Sequence, residues 1–487
     1  MTGTVAALLL SMSGAAVASA PTLARAVVPT PPVVTAVAAG NGDSLMVGED
    51  GLVYGTGLNR GQLTGTADSL TPVPLTGLPA DVSATAVAGG YAGFSLVIGD
   101  DGLVYGTGDN FFGQITGPRT SKSTLTPLTG LPLGVNATEV AASEYFSLVL
   151  GDDGVAYGAG SNGTSALTGT LDPKRTLRPM SGLPAGVSAV AVAAGGYHSL
   201  VLGDDGIAYG TGDGSQGELT GTTSRNTLTP LTGLPEGVSA TAIGAGAGGG
   251  GGYSLVLGDD GVAYGTGANN NGQLTGEDES PRTTLTPLAG LPAGVRAVGV
   301  DSGVMGEFSL VVGDDGVVYG TGSNGDGQLT GAPGQRNELT PLTGLAPGVL
   351  ATAVACGNAH TLVLGDDGLV YGTGNNESGQ LTGTATPITT LTPLVWRIRN
   401  LTVPTITGSP VVGRTLTARV GTWEPAPGSY GYQWYRDGVA LVGGTAKTHN
   451  VVAKDVGTRL KVKVTAKRAG YQSASKTTAA TAKVTRG

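Results

Sequence analysis

Paired aspartates recur six times along the chain, as Asp100-Asp101, Asp152-Asp153, Asp204-Asp205, Asp259-Asp260, Asp314-Asp315 and Asp366-Asp367. Neighbouring carboxylates suggest calcium, but a calcium loop needs several oxygen ligands at staggered positions around one centre. Each pair here sits in a Gly-Asp-Asp-Gly turn between two apolar runs, which offers two carboxylates pointing apart. Asp-Gly in that setting is a hairpin signal, so turn chemistry is the reading adopted. Of the three histidines, His198 and His360 share a repeat position filled elsewhere by Asp43, Phe94, Phe146, Tyr253 and Phe308. Catalysis cannot depend on that position in general, and a core or inter-strand role is expected. His449 lies in a different segment. Cys356 is the only cysteine, which excludes an intrachain disulfide or a cysteine metal cluster. It follows Val354-Ala355 where sister copies carry Ala or Gly, and reads as a small buried residue. Patterns such as Gly265-Thr266-Gly267 are not phosphate loops, because no helix follows. With no nucleophile–base–acid set and no metal-ligand spacing, we expect a protein that is not an enzyme and carries no cofactor or metal.

The elements that position these residues come from one unit. Its fullest form, GDDGVAYGTGANNNGQLTG, runs from Gly258 to Gly276 and recurs in seven variants. The repeat tyrosines are Tyr54, Tyr105, Tyr157, Tyr209, Tyr264, Tyr319 and Tyr371, a period near 50 residues. One unit holds four strand-like segments: Leu228–Leu231, Ala240–Ile243, Ser254–Leu257 and Val262–Tyr264. Their short, continuous apolar runs suit strands covered on both faces. Four strands at this period describe propeller blades, whose apolar faces are buried by stacking on one another. The frame taken here starts each blade with the Thr-Pro-Leu strand. On that frame the first copy begins at Val33–Ala39 without such a strand, and the seventh ends with a spare one, Leu391-Thr392-Pro393-Leu394. That last strand would complete the first blade and latch the ring by both chain ends.

A formal net charge of −9 over 487 residues hides a division. Residues 1–398 hold 12 Lys+Arg against 32 Asp+Glu, a balance of −20, whereas residues 399–487 hold 14 against 3, or +11. So abrupt a change of sign marks a domain boundary near Arg399. Residues 1–26 read as a secretory signal, with apolar Val5–Leu10, small residues Gly14–Ala20 and two cleavage candidates at Ala18-Ser19-Ala20 and Ala24-Arg25-Ala26. A secreted or cell-surface location follows. No later run approaches the length of a membrane-spanning helix.

The repeat resembles that of the regulator of chromosome condensation family. Gly195-Gly196-Tyr197-His198-Ser199-Leu200 and Gly357-Asn358-Ala359-His360-Thr361-Leu362 carry the likeness most closely, followed by Asp-Gly and Gly-Gln-Leu. The family's Trp-Gly pair has become Tyr-Gly-Thr-Gly, and Gly-Gln-Leu-Gly has become Gly-Gln-Leu-Thr-Gly. The resemblance covers about residues 30–396 and implies an all-β, seven-bladed β-propeller over residues 27–398. From Leu401 the texture changes, and Tyr432-Gln433-Trp434-Tyr435-Arg436-Asp437-Gly438 looks like strand C and the following turn of an immunoglobulin-like β-sandwich, assigned to residues 399–487. The sandwich's usual cysteine pair is missing, as in bacterial immunoglobulin-like spacer or adhesive modules. Alternation puts Arg459, Lys461 and Lys463 on one strand face, a basic stripe that could hold an anionic cell-wall polymer or could simply be solvated.

The sequence varies most in the loops after each Tyr-Gly-Thr-Gly, which the repeat's symmetry gathers on one rim of the disc. Arg60, Asn110, Phe111, Phe112, Ser215, Asn270, Asn271, Asp326, Asn376 and Glu377 are the candidate partner-binding residues, led by the adjacent aromatics Phe111 and Phe112. The function expected is a secreted or surface binding scaffold, monomeric, whose propeller recognises a protein or glycan while the basic domain spaces or tethers it. An acidic propeller opposes docking on nucleic acid. The resemblance implies two alternatives: an intracellular regulator similar to a guanine-nucleotide exchange factor for a small GTPase, and a secreted enzyme inhibitor similar to the family's propeller-type β-lactamase inhibitor.

Overall fold

The computed structural model describes residues 32–64, 68–303, 305–383, 385–424, 426–468 and 471–486. The secretory segment read at residues 1–26 lies outside them. Two compact units divide the described chain, the first over Val33–Leu394 and the second over Val395–Gly487. The boundary thus falls four residues before the charge switch at Arg399. The reason is packing: Ile398 is buried with Trp423, Val464 and Ala466 of the second unit, and Trp396 meets Tyr471 edge-on at 6.0 Å.

Within the first unit, the described residues form seven consecutive four-stranded antiparallel sheets, each a meander of neighbours in chain order. The first sheet runs Val34–Ala39, Asp43–Gly48, Val53–Gly57 and Ser69–Pro74. The last runs Ala351–Cys356, His360–Gly365, Val370–Gly374 and Ile388–Pro393. Second and third strands are buried on both faces throughout. The cores lie between sheets: Tyr105 of the second sheet packs with Leu45, Leu63 and Leu75 of the first, and Tyr157 of the third with Leu96 and Ile98 of the second.

The closure differs from the sequence expectation. Each Thr-Pro-Leu strand is the fourth strand of the hairpin before it, with Tyr54 opposite Pro74 and Tyr371 opposite Pro393. The first blade therefore has its own outer strand, and Ile388–Pro393 stays in the seventh. Proline explains the position, since an outer edge strand loses no ladder bond to its missing N–H. The ring closes by repeating the ordinary seam. Val34 N donates to Gly368 O at 3.1 Å, just as Ala84 N donates to Gly51 O at 2.9 Å between the first two blades.

The second unit is also all-β. Ser429–Arg436 pairs with Leu460–Lys467 along its whole length, and Thr415–Arg419 lies between Thr405–Thr407 and Thr448–Asn450 in a separate sheet. Fully buried Trp434 joins Leu416, Ala418, Val451, Leu460, Val462 and Val484 in one core. Alternation along Leu460–Lys467 turns Lys461, Lys463 and Lys467 outward. Arg459, just before that strand, is held by Asp437 and by the carbonyl of Thr481. Asp455 is the unit's polar anchor. It accepts from Arg436 Nε at 2.7 Å, His449 Nε2 at 2.9 Å and Val452 N at 2.9 Å. Burial opposes its charge, but these donors outweigh burial and hold the carboxyl below its usual range.

Candidate partner-binding face

The blade's meander sorts its turns by face. The first-to-second-strand turns and the long third-to-outer loops emerge on one side, while the Asp-Gly hairpin turns and the inter-blade linkers emerge on the other. The Asp pairs are fully engaged on that second side. Asp260 Oδ2 accepts the Tyr264 hydroxyl at 2.5 Å and Oδ1 accepts Val262 N at 3.0 Å. Asp259 caps the linker through Ser239 N at 3.2 Å. The same triad of bonds recurs at Asp204-Asp205 and Asp366-Asp367.

On the loop side, an asparagine in six of the blades and a glutamine in five fold the long loop from within. Asn269 Nδ2 donates to Thr275 O at 3.0 Å and to Asp278 O at 2.8 Å, while its Oδ1 accepts Leu274 N at 2.8 Å. Gln273 Oε1 accepts Asn271 N at 3.0 Å. Glu218 takes the glutamine's place in the fourth blade, accepting Gln216 N at 2.8 Å, and burial pushes its carboxyl up to about 7. A threonine then bolts the loop of one blade to the next: Thr266 Oγ1 donates to Gly217 O at 2.7 Å, and Thr56 Oγ1 reaches Gly379 O at 2.9 Å across the closing seam. The threonine of Gln-Leu-Thr-Gly adopts a left-handed backbone in all seven copies, at φ values such as 63° for Thr275 and 61° for Thr330. That is unusual for a β-branched residue. Its hydroxyl accepts the backbone N–H just after the outer strand, as Thr275 does from Ala289 N at 3.1 Å, which offsets part of the strain.

This internal engineering corrects two of the candidate site residues. Asn110 and Asn376 are buried and hold their own loops through Thr116 O and Ile115 N, and through Thr382 O and Leu381 N. They are not available to a partner. Arg60, Phe111, Ser215, Asn270 and Glu377 are exposed, while Phe112, Asn271 and Asp326 are half-buried. The structure does not bring these together in one cluster, because they stand on six different blades.

What is brought together is aromatic. Phe111 is 57% exposed and meets Phe112 edge-on at 5.1 Å. Phe112 packs on Tyr145 of the third blade at 4.8 Å, and the Arg119 guanidinium lies 5.3 Å from the Phe111 ring centre. Tyr145 stands in the first-to-second-strand turn, as do Tyr91 and Tyr197 of the flanking blades. Tyr91 N donates to Ser143 O at 3.2 Å, and Ser143 Oγ donates to Gly195 O at 2.6 Å, tying the three turns together. Hydrogen bonding to Glu144, then burial, pushes the Tyr145 phenol up to about 12. Sequence reasoning passed over Tyr91, Glu144 and Tyr145. The available signal was a tyrosine in the same turn of three successive copies, where the first and seventh carry Gly40-Asn41-Gly42 and Gly357-Asn358-Ala359.

The axial channel offers little by comparison. Ala38, Ala88, Ala141, Ala194, Ala245 and Ala355 crowd its wall around a cavity of about 40 Å³, room for a few waters and not for a drug-sized ligand. Buried Asp301 accepts Cys356 N there at 2.7 Å, and burial pushes its carboxyl up to about 7. Cys356 is buried, and its thiol is pushed up by burial and by Asp301. His198 and His360 lie in inter-blade seams. Each is fully buried with Nε2 3.1 Å from a serine hydroxyl of the next blade, Ser254 and Ser44, and burial lowers each to about 4.

Two copies of the repeat, residues 189–218 and 351–380, match the family described as the regulator of chromosome condensation (RCC1) repeat. In sequence the chain is similar to the E3 ubiquitin-protein ligase HERC2 of Mus musculus, 30% identical over 350 residues, which is 69% of this chain and 7% of that protein. It is 32% identical over 221 residues to the probable E3 ubiquitin-protein ligase HERC6 of Homo sapiens, covering 43% of this chain and 20% of that protein. The chain thus spans a small part of these curated relatives. In structure it is similar to human WBSCR16, with a TM-score of 0.60 and 23% identity over 69% of this chain and 90% of that one. The yeast RCC1 protein Prp20, solved bound to Kap60, gives a TM-score of 0.60 at 19% identity over 77% and 91%. A further structure of Prp20p from Saccharomyces cerevisiae, with a TM-score of 0.59 at 19% identity over 75% of this chain and 86% of that one, is described together with its binding properties to Gsp1p and histones.

Proposed function

We propose that this propeller of regulator of chromosome condensation repeats is a non-enzymatic, protein-binding regulator that acts through its loop face, in the manner of an exchange factor for a small GTPase. The observation that carries the reading is the aromatic run from Phe111 to Tyr145, which crosses from one blade to the next and leaves Phe111 largely bare. Aromatic anchors on a rigid scaffold are what protein interfaces are built around. The likeness to the Prp20 propeller, whose binding to Gsp1p and histones is on record, supports a protein partner. The narrow channel argues against a small-molecule ligand. The test is release of labelled GDP from small GTPases of the producing organism by the full chain. Faster release by the wild type, reduced at least several-fold in Phe111→Ala, is expected; release at the spontaneous rate with every GTPase would remove the exchange-factor reading.

A second reading, a secreted or cell-surface scaffold gripping a protein or glycan, is favoured by the charge division alone. On that reading the second unit, an immunoglobulin-like spacer, sets Lys461, Lys463 and Lys467 against an anionic wall polymer. Recovery of the protein from washed culture supernatant would favour it; recovery from lysate would favour the regulator.

A further inference from the structure

Glu144 is a carboxylate without a cation. It is only 7% exposed, its Oε2 has no hydrogen-bond partner, and among the described residues no lysine or arginine pairs with it. An unsatisfied buried carboxylate oxygen is expensive to keep, so a fold that retains one invites a donor from outside. Around it stand tyrosines from three successive blades. The turns carrying Tyr91 and Tyr197 are tied to Ser143, the residue before Glu144, through Tyr91 N to Ser143 O and Ser143 Oγ to Gly195 O. The Tyr145 and Tyr197 phenols are both pushed up, Tyr145 first by its hydrogen bond to Glu144 and Tyr197 first by burial and then by the Glu144 charge. Tyr197 is 43% exposed and Glu144 is buried beneath the turns, so a partner reaches the carboxylate by displacing the exposed Tyr197 ring. A buried carboxylate among tyrosine-bearing turns suits a cation, which would gain a charge-assisted hydrogen bond there and, where it lies over a phenol ring, cation–π attraction.

We infer that Glu144, with Tyr91, Tyr145 and Tyr197, captures one lysine or arginine side chain of a basic protein segment docked across the second to fourth blades. Two further features fit that occupant. The propeller is strongly acidic, with 32 Asp+Glu against 12 Lys+Arg through residue 398, so a basic segment is drawn to it. The exposed Phe111 ring adjoins the cage through Phe112 and Tyr145, giving the segment's apolar residues a surface beside the charged one. The inference rests on the loop face being the partner-binding face, and does not need the partner to be a GTPase.

The test measures binding of fluorescein-labelled lysine and arginine homopeptides to the full chain by polarisation, against a glutamate homopeptide as control. Wild type, Glu144→Gln, Tyr197→Ala and Glu236→Gln are compared, the last removing the same charge from an exposed inter-blade linker on the opposite side. Binding weakened about ten-fold in Glu144→Gln, the worth of one charge-assisted hydrogen bond, and also weakened in Tyr197→Ala but not in Glu236→Gln, is the expected result. Tyr197→Ala alters an exposed ring, so a folding defect in Glu144→Gln would still leave the cage open to test. Equal loss in Glu144→Gln and Glu236→Gln would reduce the effect to bulk charge and overturn the cage, as would unchanged binding in Tyr197→Ala. Peptide binding that depends on Glu144, without any GDP release by the wild type, would uphold the cage while removing the exchange-factor reading. GDP release by the wild type with peptide binding indifferent to Glu144 would do the reverse.

Discussion

A β-carbon on Gly195 or Gly357 would overlap the ring of His198 or His360, so each glycine is the seat on which a repeat-position ring lies. That steric fact explains why the motif pairs a glycine with a ring three residues later. The two histidines are buried neutral, and their folded values near 4 lie below the 6.5 of the open chain. Between those values the unfolded chain binds protons that the folded chain does not, so stability contributed by neutral His198 and His360 is complete above pH 6.5 and is lost as pH falls toward 4. Asp43 and Asp301 act with the opposite sign. Their folded values, raised by burial to about 7 from 3.8, make the folded chain hold protons that the unfolded chain has released, so their contribution fades as pH rises through that window. Melting temperatures across this range should therefore show a weaker acid loss in His198→Phe, which uses the ring that sister copies carry. Asp301→Asn should be relatively more stable than wild type at pH 8 than at pH 5; parallel curves for all variants would contradict the assignment. The histidines' structural role was legible from the mixture of residue types at one repeat position. The orphaned carboxylate of Glu144 was not, because a residue that occurs in one copy of the turn alone carries no periodic mark.

Among the elements, the seams matter most. Thr266 joins its blade to Gly217 O and also to Arg282 O, and Thr266→Val should cost about 1–3 kcal/mol by leaving those carbonyls unpaired. The third blade already lacks this bolt, since Ala159 stands in the threonine's place, so Ala159→Thr tests the same seam with the opposite sign in thermal melting. The outer strands decide how the ring closes. Leu391 is 2% exposed in the strand Ile388–Pro393, and Leu391→Ala should cost about 2–5 kcal/mol. Hydrogen exchange would locate the damage: faster exchange in His360–Gly374 with Val34–Gly57 unaffected is expected, whereas faster exchange in the first blade would revive the strand-exchange closure. Strand identities and hairpins were readable from Asp-Gly turns and short apolar runs. The frame was misread because Leu-Thr-Pro-Leu stands nearer in sequence to the Ala/Val strand that follows it, Leu288 to Ala297, than to the Tyr-Gly-Thr-Gly that precedes it, Gly267 to Leu285. Only the register, with proline opposite tyrosine, assigns it. In the second unit, Asp455→Ala would leave Arg436 and His449 without the buried carboxylate they share and should cost about 3–5 kcal/mol there.

Taken whole, the propeller is two-sided. One side spends its carboxylates on hairpin turns and linkers, and the other carries glutamine- and asparagine-built loops with a tyrosine-lined carboxylate beside an exposed phenylalanine. Seven-fold periodicity made the ring and its loop rim legible, while the patch that distinguishes blades two to four arises from departures within the repeat. Hydrogen exchange of the full chain with and without a lysine homopeptide tests this two-sidedness most directly. Protection is predicted in the turns around Tyr91, Tyr145 and Tyr197 and in the Asn110–Gly117 loop, with none in the Gly-Asp-Asp-Gly turns. Protection confined to those turns, or spread evenly over both sides, would contradict a single partner-binding face.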